Sequence, residues 1–258
     1  MLRGLYSAAS GMLANLTRMD VVSNNLANAD SVGYKRQEVT QHAFNDLLLR
    51  RLSDSPDAAN SGGPAPTLGT LGTGTYVDQI VTDYSAGSLK ATGNPLDLSL
   101  RERPGEPLQF FAVDTAAGVR YVRTLSLQLL NGQLVTQSGN PVLGQHGPVT
   151  CQGNQVSVTE NGQVIVDGQP ADQLEVVTFP TAAGLRRIGQ ALYQATPQSG
   201  AAGAIAQPQV LAGYQETSNV NPVLEMVRMM EVMRNYEAGQ KAVQAQDGTL
   251  EKLLQIQA

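Results

Sequence analysis

Tryptophan is absent from the 258 residues, cysteine occurs once, histidine twice, and aromatic side chains make up only 5%. A single thiol, Cys151, excludes an internal disulfide and leaves the redox compartment unreadable. His42 and His146 lie far apart, no Cys, His and Asp group has ligand spacing, and no serine stands in a nucleophile elbow. Asp78 with Asp83, and Glu102 with Glu106, are paired carboxylates only by nearness in sequence and read as solvated charge. The chain is therefore read as no enzyme, with no cofactor and no metal site.

Charge is also scarce, at 15% of residues, and the net value is −5. A nucleic-acid binder needs a basic face with stacking aromatics, so no nucleic-acid partner is expected. No apolar run approaches the ~18–20 residues of a membrane helix, which excludes an integral membrane segment of that kind. Arg3 followed by Leu5 to Leu16 faintly resembles a signal peptide. Gly4, Ser7, Ser10, Gly11 and Asn15 interrupt its apolar core, and no cleaved signal is expected. Gly69, Gly72 and Gly74 lack the preceding buried strand and following Lys-Ser/Thr of a phosphate-cradling loop. A secreted binding module built on β structure would normally present aromatic platforms, and few are available here.

What is present is glycine, 26 residues of it, with 41% hydrophobic content that suffices for a packed core. Leu2, Leu5, Ala9, Met12, Leu16, Met19, Ser23 and Leu26 fall at alternating spacings of three and four, predicting a helix roughly 40 Å long with one seam. Met226, Met229, Met233, Tyr236, Gln240, Val243, Asp247, Leu250 and Leu254 repeat the pattern after Asn221, a good N-cap, and Pro222, which suits the first helical position. Gly239 and Gly248 each cost that helix about 1 kcal/mol relative to alanine, so it needs packing partners.

Between the helices, residues 37–52 carry a weak helical pattern through Phe44, Leu47, Leu48 and Leu52. Residues 53–73 read as a linker or extended loop. Residues 75–215 show short apolar runs bounded by turn residues, with Tyr121–Leu130 as one strand and Val210–Gln215 as another. Asn131-Gly132 and Asn161-Gly162 are the sharpest hairpin signals, because both positions tolerate positive φ.

The expected architecture is α+β. Residues 1–36 and 216–258 form a terminal helical domain, paired as a coiled coil; 37–74 hold a short helix plus linker; 75–215 form an antiparallel barrel or sandwich. Two helices cannot cover both seams, so the remaining apolar surface calls for neighbouring copies; a head-to-tail contact of that kind would build a helical filament. The seam residues expected at subunit contacts are Leu2, Leu5, Met12, Leu16, Met19, Leu26, Met226, Met229, Met233, Tyr236, Val243, Leu250 and Leu254.

Ser23 to Arg36 reads as a hinge, where Asn28 can close the helix in a left-handed conformation, Asp30 and Ser31 favour turns, and Gly33 allows positive φ. Within it, Asn24-Asn25-Leu26-Ala27-Asn28 and Gly33-Tyr34-Lys35 resemble the N-terminal signature of bacterial flagellar basal-body rod proteins, a family that also takes in hook and hook-junction proteins. Glu216-Thr217-Ser218-Asn219-Val220-Asn221, Glu225-Met226-Val227, Arg234, Tyr236-Glu237 and Lys241 resemble its second signature. Weaker likeness runs through Gly87-Ser88-Leu89, Thr92 to Asp97, Gly132 to Thr136 and Gly139 to Leu143. The sequence departs from the family where residues 101–107 precede Phe110-Phe111, and where Arg123 to Leu127 stands in place of a common Gly and aromatic.

The resemblance implies a structural subunit of the rod, stacking helically with terminal helices lining an inner tube and a β domain outside, and transmitting torque to the hook. The implied partners are copies of itself, other flagellar rod or hook proteins, and the flagellar type III export apparatus. The implied location is the basal body in the cell envelope. The alternatives are a hook or hook-junction protein, or a secreted β-rich binding module.

Overall fold

The structure, a computed structural model, describes residues 2–45, 47–50, 67–101, 107–153, 155–189, 191–205 and 207–257. Helix α1 spans Leu2–Ala27 and helix α2 spans Pro222–Gln257, and between them the chain is built of short strands, an α+β arrangement. Two compact units form. One holds Met1–Asn24, Gln37–Val81 and Val223–Ala258, the other Asn25–Arg36 and Thr82–Pro222. Residues 25–36 and 216–222 thus go with the β structure, and 37–81 with the helices, unlike the division expected from the sequence.

In the helix-rich unit α2 starts at Pro222, directly after Asn221, where the capping chemistry places it. Among the described residues, four strands accompany the helices: β1 (Gln37–Ala43), β2 (Leu47–Arg50), β3 (Thr67–Leu71) and β4 (Thr75–Thr82). β1 pairs with β4, and β2 pairs antiparallel with β3. Where a short helix is expected over 37–52, the described residues form β1 and β2, and 46, 51 and 52 lie outside them. Gln37-Glu38-Val39-Thr40-Gln41-His42-Ala43 alternates in burial at its start, with a β-branched pair at its centre, and these properties suit a two-stranded ribbon better than a helix. Of the linker expected over 53–73, residues 53–66 lie outside the described residues, and 67–71 form β3.

The β-rich unit runs through β5 (Leu89–Ala91), β6 (Asp97–Leu100), β7 (Gln109–Thr115), β8 (Gly118–Val122), β9 (Thr124–Leu130), β10 (Gln133–Thr136), β11 (Leu143–Gly144), β12 (Gly147–Pro148), β13 (Val156–Val158), β14 (Gln163–Val166), β15 (Gln169–Gln173) and β16 (Val176–Thr178). It continues with β17 (Arg186–Arg187), β18 (Tyr193–Gln194), β19 (Gly203–Ala204), β20 (Val210–Ala212) and β21 (Tyr214–Glu216). The larger sheets are ordered β10-β9-β6-β20, β17-β18-β8-β7-β16-β19 and β13-β14-β15. Of the barrel or sandwich expected from the sequence, no barrel forms among the described residues, where none of the sheets closes. All three contribute to one core that includes Leu98, Phe111, Val113, Leu125, Leu134 and Val164.

Strand β7 shows why the central sheet tolerates consecutive phenylalanines. Side chains alternate across a strand. Phe111 and Val113 enter the main core, while Phe110 enters a second cluster with Val177, Phe179, Leu185 and Tyr193. A strand covered on both faces reads as a continuous apolar run.

The turn at Asn131-Gly132 is a two-residue hairpin with φ of 52° and 75°, closing Leu130 against Gln133. The second signal differs. Only Gly162 takes a positive φ, and the loop runs from Thr159 to Gly162, closed by the Gly162 N–H donating to Thr159 O at 2.9 Å. Two expected strands are split. Tyr121–Leu130 breaks at Arg123, where the chain leaves the six-stranded sheet for the four-stranded one. The run from Val210 breaks at Gly213, whose φ of 82° redirects it from β6 to β5.

Candidate functional site

The two terminal signatures meet inside the β-rich unit. α1 ends without the left-handed residue expected at Asn28; turns close it instead, with the Asn28 N–H donating to Asn25 O and the Ala29 N–H to Leu26 O, each at 3.2 Å. The positive φ falls at Gly33, at 67°. Its N–H donates to Glu216 O at 2.8 Å, which docks the first signature onto the second. Arg36 N–H donates to Asn219 Oδ1 at 2.7 Å, and the Asn219 amide donates to Asp83 O at 2.9 Å. The Tyr34 hydroxyl donates to Asn25 Oδ1 at 3.0 Å, and the Arg187 guanidinium lies 3.9 Å from the centre of the Tyr34 ring. Asn25, Gly33, Tyr34 and Lys35 are buried, whereas Asn24 and Ala27 are exposed and Leu26 and Asn28 half-buried.

At the centre is a buried ionic triad. Lys35 Nζ lies 2.6 Å from Glu216 Oε1 and donates also to Ser85 O at 2.7 Å. Arg123 approaches Glu216 Oε2 at 3.4 Å and donates to Gln109 O at 3.0 Å. Burial pushes the Glu216 carboxyl up, but Arg123, Lys35 and the Gly87 N–H outweigh it and hold the group below its ordinary range. Beside the triad, burial pushes the Tyr84 hydroxyl up to about 12 and the Tyr193 hydroxyl higher still. The arrangement is a clamp that fixes four separate stretches of chain.

Three of its residues escape a site prediction made from sequence. Arg123 stands where the family pattern has other residue types and reads there as a local departure. It is instead the second cation on Glu216, and its side chain turns inward where the strand breaks. Gly87 gives the closest approach, since a Cβ there would lie 1.9 Å from Thr217 O. Glu216 stood within the second signature, but only the meeting of segments 181 positions apart shows what it holds.

In the helix-rich unit the same signature buries a second carboxylate, Glu225, which accepts from Arg228 at 2.6 Å. Arg18, Val21, Val22, Gln37, Glu38 and Val39 line a small recess with these two residues. The least exposed line along α2 is Glu225, Met229, Val232, Tyr236, Gly239, Val243, Gln246 and Leu250, again spaced four and three. Met229, Tyr236, Val243 and Leu250 belong to the seam expected from the sequence. Met226 and Met233 also belong to that expected seam but lie off this line: they are about half exposed, at 51% and 47%, and the line passes one residue earlier through Glu225 and Val232.

The cause is close approach of the two helices. A Cβ on Gly239 would lie 2.7 Å from Met12 Cγ, and one on Gly4 would meet the Gln246 side chain. The seam expected from the sequence passes through Gln240, whereas Gly239, which has no Cβ, is the residue that lies against Met12. On α1, Leu5, Met12 and Met19 are half-buried, Leu16 is 40% exposed, and Tyr6 and Leu13 reach 73% and 67%. Val223, Leu224, Val227 and Met230 add to the exposed apolar surface of α2. The side chains of Leu2 and Leu254 lie outside the described residues.

Comparison with known proteins follows the same two terminal blocks. Residues 5–35 match the family described as Flagella basal body rod protein, and residues 211–256 match Flagellar basal body rod FlgEFG protein C-terminal. The chain is 33% identical to the flagellar basal-body rod protein FlgG of Bacillus subtilis over 99% of both chains. It is 32% identical to that organism's flagellar hook-basal body complex protein FlhO, over 98% of this chain and 97% of that one. It is 34% identical to FlgG of Buchnera aphidicola subsp. Schizaphis graminum, over 99% of this chain and all of that one.

Proposed function

The chain belongs to the flagellar basal-body rod protein family and is a structural subunit of that rod, and from that premise we propose how its parts serve the assembly. Helices α1 and α2 pair in a coiled-coil-like manner and form the inner wall of a helical tube. Copies of the chain and neighbouring rod or hook proteins cover the apolar side chains that each subunit leaves exposed. The β-rich unit forms the outer layer, and the stacked subunits act as a shaft that carries torque to the hook.

The observation that carries this reading is the exposed apolar surface of the helices. Tyr6, Leu13, Val223, Met226 and Met230 each exceed half exposure, and they lie on elements that match the family at both ends. A subunit that works alone gains nothing from such a surface, whereas burial against a neighbour returns about 25 cal/mol per Å². The family role is structural, and the clamp of Lys35, Arg123 and Glu216 fits that role by fixing backbone rather than presenting a reactive group.

The subunit reaches the periplasmic part of the basal body through the flagellar type III apparatus as an extended chain. Among the described residues no helix is long and apolar enough to cross a membrane. Electron microscopy of basal bodies from a strain lacking this chain tests the reading. A missing or shortened rod is expected, and an intact rod of full length would overturn it.

A further inference from the structure

We propose that the stretch from Val210 to Asn219 is a latch that closes the β-rich unit last, so that the unit completes its fold only when the second signature has been delivered. The unit joins near neighbours through hairpins, and joins distant strands ahead of residue 210 by pairing β6 with β9, β7 with β16 and β8 with β18. The hairpins β7–β8, β9–β10, β13–β14 and β14–β15 join neighbours in sequence, with Thr115 against Gly118, Leu130 against Gln133, Val158 against Val164 and Val166 against Gln169. Such pairings cost little loop-closure entropy and form early. The strand pairings of the terminal stretch are all long-range.

β20 is the edge strand that pairs Val210–Ala212 with β6, and β21 pairs Tyr214–Glu216 with β5. Glu216 then reaches Arg123 across 93 positions, Gly87 across 129 and Lys35 across 181. Asn219, the last residue of the latch, joins two of the same stretches by accepting from the Arg36 N–H at 2.7 Å and donating to Asp83 O at 2.9 Å. Ionic chemistry sharpens the dependence. Lys35 and Arg123 are each 1% exposed at the side chain and share the Glu216 carboxylate. Bringing two cations into that interior before the carboxylate arrives is strongly unfavourable, because a buried charge deprived of its counter-ion costs more than the pair gives back. A chain delivered from its N-terminus therefore lacks, through its first 209 residues, the carboxylate that these two cations share, and the closing charge comes from the same signature that begins α2.

Pulse-labelled hydrogen exchange during refolding of the full chain tests this order. Amides of β7, β8, β9 and β10 are expected to gain protection in a first phase. Amides whose acceptors belong to the latch report the second: Gly33 N–H to Glu216 O, Gly87 N–H to Glu216 Oε1 and Thr92 N–H to Gly213 O. In Glu216→Gln the first phase keeps its rate, and unfolding from the native state accelerates by about 100-fold. If Glu216→Gln gives no folded protein, Glu216→Asp, which retains the charge on a shorter arm, is expected to show the same pattern at smaller amplitude. Protection that rises together across the unit, or a first phase slowed by either variant, would overturn the latch. The outcome is independent of whether the chain builds a rod, because it is read on the soluble subunit.

Discussion

Lys35 Nζ lies 2.6 Å from Glu216 Oε1, and both side chains are no more than 2% exposed. One residue closes the first signature and the other opens the second, so a single contact ties the two ends of the family pattern. Arg123 shares the same carboxylate. Glu216→Gln keeps the shape of the side chain and removes its charge, which leaves two interior cations without the carboxylate they share. A loss of about 3–5 kcal/mol in the stability of the β-rich unit is expected. Denaturant unfolding followed at β-unit amides measures it, and a loss below about 1 kcal/mol would show that the triad is solvated in solution.

Acidity acts on the same group with a definite sign. The Glu216 carboxyl stays ionised to lower pH in the folded chain than in the unfolded one, whose ordinary value is 4.5. Its contribution is fully present above the unfolded value and disappears as pH falls through the lower folded value. Asp83 acts in the same direction: burial pushes its carboxyl up, and hydrogen bonds from Ser85 together with the charge of Arg36 more than offset that. Stability is therefore expected to be flat above about pH 6 and to fall below about pH 4.5. In Glu216→Gln the fall is shallower, because only the share of Asp83 and weaker groups remains. Urea unfolding at a series of pH values checks it, and parallel curves for the two proteins would rule out Glu216 as the main acid-sensitive group.

The glycines of α2 separate two effects that a sequence combines. Glycine costs a helix about 1 kcal/mol relative to alanine. At Gly248 nothing lies within 4 Å of an added Cβ, so Gly248→Ala is expected to stabilise the helix-rich unit by up to about that amount. At Gly239 the Cβ would meet Met12 Cγ at 2.7 Å, and the gain is cancelled by collision or by displacement of Met12. Gly239→Ala is expected to be neutral or destabilising, and the added substitution Met12→Ala to recover part of the helix gain. Thermal unfolding followed at 222 nm compares the three variants; equal stabilisation by both alanines would mean that Met12 does not rest against Gly239.

How much of this was legible beforehand depended on range. The Asn131-Gly132 hairpin is written in two adjacent residues, and the start of α2 in Asn221-Pro222, so local chemistry sufficed for both. The heptad period of α2 was equally plain, but its phase was not. Phase is decided by which side chains the opposite helix can receive, and Met12 lies against Gly239, one residue before the Gln240 of the expected seam. The strand β1 was hidden because a short polar segment such as Gln37–Ala43 holds its form by pairing with β4, some forty residues on. Arg123 shows in the sequence only as a departure from the family pattern, and its role appears once Glu216 is seen to face it.

Met226, Met230 and Met233 give the sharpest separation of fold from assembly. All three are about half exposed, at 51%, 52% and 47%, while Val232 beside them is fully buried. Replacing the three methionines by glutamine removes apolar surface that the subunit does not use for its own core, and glutamine has nearly the helix propensity of methionine. The stability of the isolated subunit is therefore expected to stay within about 0.5 kcal/mol. Val232→Ala, by contrast, removes buried methyl groups and is expected to cost about 1–3 kcal/mol. If the methionine face is covered by neighbouring subunits, the triple variant folds yet fails to form rods, whereas Val232→Ala forms rods at temperatures where it remains folded. Thermal unfolding and electron microscopy of the assembled rod, applied to both variants, read the two properties apart. Normal rods from the triple variant would place the subunit contact on another face, with Tyr6 and Leu13 of α1 the next candidates by exposure.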